Sequence, residues 1–96
     1  MGVQTLENYH SFIRMVFDLV TEYYGFSVLS VSMSDDGLYQ LHTESFSLFV
    51  EILSWSPLVL VARINKQFKR STDYDNMYLW IDSQIEERLD DERICF

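Results

Sequence analysis

The sequence predicts an α+β domain: one helix, a four-stranded antiparallel meander and a closing helix. Three observations carry this. Apolar residues recur at three- and four-residue spacing near the start, the period drops to two between Phe26 and Asn65, and a second helical stripe ends the chain. The 96 residues suit one domain, 1–96, because chains divide only well beyond about 150 residues.

The first helix is expected over roughly residues 6–24. Leu6, Tyr9, Ile13, Val16, Phe17, Val20 and Tyr24 line one face, with Arg14, Asp18 and Glu22 on the other. Thr5 is placed to cap it, and Gly25 to end it in a left-handed turn. "FSVLSVSM" then alternates, with Leu29, Val31 and Met33 opposite Ser30 and Ser32, and "SDDG" supplies a hairpin turn. "LYQLHT" is the returning strand. "SFSLFVEIL" is the third, with Phe46, Leu48, Val50 and Ile52 to one side, and "LVLVARIN" follows the break at Pro57. Short links between such strands imply an antiparallel meander.

"KQFKRST" is expected to lead into the last helix, with Thr72 and Asp75 as a weak capping box. Tyr74, Met77, Tyr78, Ile81, Ile85 and Leu89 form its apolar stripe. Asp75, Asp82, Glu86 and Asp90 run along another, with Glu87 and Asp91 beside it. Two helices can cover one face of the sheet. The other face would show Ser47, Phe49, Glu51, Val59, Val61 and Arg63, a mixed surface suited to a partner.

Charge is unevenly distributed. The formal net charge is −8, and residues 71–96 hold eight of the fifteen acids but two of the seven bases. Such a surface repels phosphate backbones and anionic membranes and attracts a basic protein. Cys95 is the sole cysteine, so an internal disulfide is impossible and a reducing, cytoplasmic setting is expected. No apolar run reaches the roughly 18 residues of a membrane span.

Motifs for chemistry fail on spacing. "DYDNMYLWIDSQ" begins like a calcium loop, but Tyr78 stands where glycine is required and Gln84 where the closing glutamate belongs. His10, His42 and Cys95 have no zinc-ligand spacing. The phosphate loop and nucleophile elbow are missing, and carboxylates at helical spacing point outward, where acid–base chemistry is poorly served. The expectation is a non-enzymatic binding protein with no cofactor and no metal. Its partner would be a protein with a basic surface, met through Asp75, Asp82, Glu86, Glu87, Asp90 and Asp91, with Trp55 and Phe49 as aromatic anchors. "KQFKR" could alternatively contact nucleic acid through Phe68, but the surrounding acids favour a neutralising or solvated loop.

In size, charge and layout the chain resembles the small acidic immunity proteins of bacterial toxin–immunity systems, such as those of contact-dependent growth inhibition. That resemblance implies neutralisation of a cognate toxin, with a nuclease as the toxin class, by covering its basic active-site surface, and a monomer or weak homodimer. "SDDGLYQLHTESFSLFVEIL" is also similar to the early strands of type III secretion chaperones, which would imply a dimer holding an extended effector segment. A phage-encoded inhibitor mimicking nucleic acid fits the charge as well.

Overall fold

The computed structural model describes residues 6–94, and side chains over 7–89. Thr5 and Cys95 lie outside the described residues. Helix α1 (Leu6–Asp18) continues into a π-helical turn, Leu19–Tyr23. Strands β1 (Val28–Met33), β2 (Tyr39–Thr43), β3 (Ser47–Trp55), β4 (Leu58–Ile64) and β5 (Gln67–Ser71) follow, and helix α2 (Tyr74–Ile94) closes the fold. The sheet is an antiparallel meander in the order β1-β2-β3-β4-β5. Among the described residues, no helix is long and apolar enough to cross a membrane.

The α+β architecture stands, with one correction: the sheet has five strands, not four. "QFKRS" is β5, paired with β4 from Leu60↔Ser71 to Ile64↔Gln67. Its first four residues are exposed, so it has no buried face to announce it. Asn65, at φ 53°, provides the left-handed residue of the hairpin turn before it.

The core is what the alternation requires. Tyr39, Leu41, Leu48, Val50, Leu60, Ala62 and Ile64 point to the helix side and are buried with Tyr9, Phe12, Val16 and Val20 of the first helix and Met77, Ile81 and Ile85 of α2. Burial of each such side chain is worth about 1.5–3 kcal/mol, which is what holds α1 and α2 on one face. Tyr9 is fully buried, and its hydroxyl lies 2.7 Å from the Gly37 carbonyl and 3.1 Å from that of Val50, so α1 is tied to the sheet by polar contact as well.

Local chemistry sets the ends. Gly25 has φ 78°, and the Phe26 amide donates to the Val20 carbonyl at 3.0 Å, so the expected left-handed stop is present. Thr21 Oγ1 donates back to the Phe17 carbonyl at 2.9 Å, within the stretch where the helix widens. The cap of α2 is Asp73 rather than Thr72: its carboxylate accepts the Asn76 amide at 2.7 Å. Ser71 Oγ accepts the Asp73 amide at 3.2 Å and so presets that turn.

The two margins of the sheet differ. β5 carries Lys69 and Arg70 and follows Lys66. β1 carries no charge, and its Leu29, Val31 and Met33 are exposed, although Val31 and Met33 pair with the inward-facing Leu41 and Tyr39. The helices therefore stop short of β1.

Candidate functional site

A trough runs between the first helix and α2 on the outer side of the helical layer. Its larger lobe, about 520 Å3, is lined by Met15, Asp18, Leu19, Glu22, Tyr23, Tyr78 and Asp82. A second lobe of about 200 Å3 shares Met15 and Tyr78 and adds Asn8, Ser11, Phe12, Tyr74 and Asp75. The α1 wall exists because Asp18 and Glu22 are four apart, on the side of the helix away from the buried Val16 and Val20. The α2 wall exists because Asp75, Tyr78 and Asp82 are three and four apart. Phe12 meets Tyr74 with ring centroids 5.1 Å apart, closing the floor at one end.

Four carboxylates line this trough, from Asp18, Glu22, Asp75 and Asp82, and no lining residue is a lysine or arginine. The negative field registers on the phenols inside it. Burial pushes the Tyr78 phenol above its ordinary range, and Asp82 and Asp18 push it further. Tyr24 is raised by burial first, then by its hydrogen bond to Asp82 and the charges of Asp82 and Glu86. Around the carboxylates, large apolar groups stand in solvent: Tyr23 is 75% exposed, Leu79 63% and Met15 51%. Leu79 is three residues before Asp82 and four after Asp75, so it projects among the acids.

The predicted residues separate into groups. Asp75 and Asp82 line the trough. Glu86 and Glu87 are exposed further along α2, where Gln84 Nε2 donates to Glu87 at 3.1 Å. The side chains of Asp90 and Asp91 lie outside the described residues. Trp55 ends β3 on the helix side, edge-on to Tyr9 at 6.4 Å. Phe49 is on the opposite, uncovered face, so these two aromatics do not form one surface. Asp18, Glu22, Tyr23 and Leu79 join the site only in the folded chain; the signal for the first three is the stretch "DLVTEYYG", where two acids four apart precede a tyrosine pair.

A further, more apolar groove of about 320 Å3 lies between α1 and β1, lined by His10, Ile13, Arg14, Phe17, Val31, Met33 and Tyr39. Among the described residues, no group of three or more His, Cys, Asp and Glu could hold a metal ion. No family model, curated protein or solved structure is significantly similar to the chain.

Proposed function

We propose that the protein binds a basic protein partner through the interhelical trough and thereby blocks it, as an immunity protein blocks a toxin; the class that fits best is a nuclease, whose substrate-binding surface is basic. One observation carries the reading. Four carboxylates line the two lobes of the trough, with no lysine or arginine among the lining residues, beside exposed Tyr23, Leu79 and Met15. Carboxylates of this kind steer encounter with a cationic surface, and apolar groups at their centre slow dissociation. On this reading Asp18, Glu22, Asp75 and Asp82 take the positions that substrate phosphates would take on the toxin, and Glu86 and Glu87 extend the field. It is a binding role, with no bond made or broken.

The test is co-expression with the product of the neighbouring gene. Rescue of growth from a toxic neighbour supports the reading. So does loss of that rescue when Asp18, Glu22, Asp75 and Glu86 become Asn or Gln in a chain that still folds. Equal rescue by the fourfold variant would place recognition elsewhere, and a neighbour that is neither toxic nor bound would remove the neutralising role.

A second reading, a chaperone holding an extended segment, is favoured by the bare β1 margin and the apolar groove beside it. An added strand would supply β1 with its missing hydrogen-bond partner and drop alternate side chains onto Ile13 and Phe17. Val31→Lys separates the two, because it abolishes strand addition and leaves the trough untouched.

A further inference from the structure

The cations of this acidic chain are also gathered. Arg63, Lys66, Lys69 and Arg70, four of its seven Lys and Arg residues, fall within eight positions. Strand register places them. Arg63 stands between Phe49 of β3 and Phe68 of β5, in a row with Gln40 and Ser32 that crosses the whole uncovered face. Arg70 lies in the next row, across Val61 from Glu51. The Arg63 guanidinium sits 5.4 Å from the centre of the Phe49 ring, and His42 meets the same ring edge-on at 5.5 Å. Phe68 is 71% exposed, a large ring held on a strand with no apolar neighbour covering it.

We propose that this uncovered face is a second site, which takes a short stretch of single-stranded nucleic acid. A base stacks on Phe68, and its phosphates lie against Arg63 and Arg70. Rings on a sheet flanked by arginines match both halves of a nucleotide, the planar base and the anionic linker. An acidic protein segment would match the arginines alone and leave the Phe68 ring in water.

Net charge argues the other way only when it is averaged over the molecule. The trough acids lie on the far side of the sheet, a packed layer or about 10 Å away. The screening length at physiological ionic strength is about 8 Å, so each face presents its own charge. On the uncovered face the described strand charges are Arg63 and Arg70 against Glu51, and at one end of the sheet Lys66 and Glu44 stand in neighbouring turns. Binding through so few cations is weak and confined to a few nucleotides.

The experiment is fluorescence anisotropy of a labelled eight-nucleotide oligothymidylate, titrated with the full chain at physiological salt. Saturable binding is expected, weaker by at least about fivefold for Phe68→Ala, the range of loss for one stacked base. Arg70→Gln should weaken it too and lower the slope of log affinity against log salt by about 0.7. Phe68 is too exposed for its loss to unfold the domain, and circular dichroism checks this. A flat titration up to millimolar protein overturns the proposal. So does displacement of the oligonucleotide by octaglutamate at equal concentration together with an unaffected Phe68→Ala variant, which would make the face a plain cationic patch for acidic protein.

Discussion

Tyr24 donates a hydrogen bond to the Asp82 carboxylate at 2.5 Å, joining the end of the first helix to the middle of α2. The bond lies at the edge of the acidic trough, where Asp82 is one wall and Tyr23, next to Tyr24, is another. Loss of a hydrogen bond to a charged acceptor costs about 1.5–3 kcal/mol when buried and less at a half-exposed site such as this. Tyr24→Phe should therefore cost about 1 kcal/mol and lower the melting temperature by about 4–8 °C. Thermal melts of both proteins at pH 7 check it, and identical curves would show that apolar packing alone sets the helix spacing.

The buried Tyr9 hydroxyl bridges α1 to the turn before β2 and to β3. Tyr9→Phe keeps the ring and removes the buried donor facing the Gly37 carbonyl, at a cost of about 1–3 kcal/mol. Urea denaturation should show a lower midpoint with an unchanged slope.

High pH should unfold the protein through its tyrosines. Tyr9, Tyr24, Tyr39, Tyr74 and Tyr78 are all held above the ordinary value of 10.0, first by burial in each case. A folded-state value above the unfolded one means the folded protein keeps its protons more tightly. Stability from these groups is therefore complete below pH 10 and falls as pH rises beyond it. Absorbance at 295 nm should rise steeply and together with loss of the circular dichroism signal. Tyrosines that titrate gradually near pH 10 in a folded chain would contradict this.

Tyr23→Ala and Leu79→Ala should each leave stability within about 0.5 kcal/mol, because both side chains stand in solvent. If they anchor the proposed partner, each should weaken binding by about 1–2 kcal/mol, mainly through faster dissociation. Replacing Asp18, Glu22, Asp75 and Glu86 by Asn or Gln should instead slow association and flatten its salt dependence. Thermal melts and surface kinetics on the same variants distinguish the two classes of effect.

Gly25 holds φ 78° with open space where a Cβ would be. Gly25→Ala should cost about 1–2 kcal/mol from backbone strain alone, and Gly25→Asn distinctly less. Equal losses for the two variants would mean that contact rather than backbone conformation limits the site.

Much of the fold is legible in the sequence, for a physical reason. β1 to β3 alternate because one face of each is apolar, β4 announces itself by the apolar run Leu58–Val61 after Pro57, and α1 and α2 carry stripes because one side of each is buried. β5 has no such contrast: of "QFKRS" only Ser71 is buried. Its strand character comes from pairing with β4, and an edge strand guarded by Lys and Arg looks like a loop when read alone. The trough was half legible. Asp75 and Asp82 appear on the outer stripe of α2, but their opposing wall, Asp18 and Glu22, depends on how two helices are set side by side. That is decided by Phe12 on Tyr74 and Tyr24 on Asp82, contacts between residues far apart in the chain. Phe68 and Arg63 likewise become neighbours only once β4 and β5 are in register.

The unequal margins of the sheet bear on how copies of the chain could meet. Polymerisation through sheet edges needs two receptive margins on every molecule, and this one has one. A two-fold β1-to-β1 pairing would place Val31 against its own copy and use up both receptive margins at once. What remains at either end is β5 with Lys69 and Arg70, two like-charged margins that repel. In a pair of this kind, growth along the sheet would end at two copies.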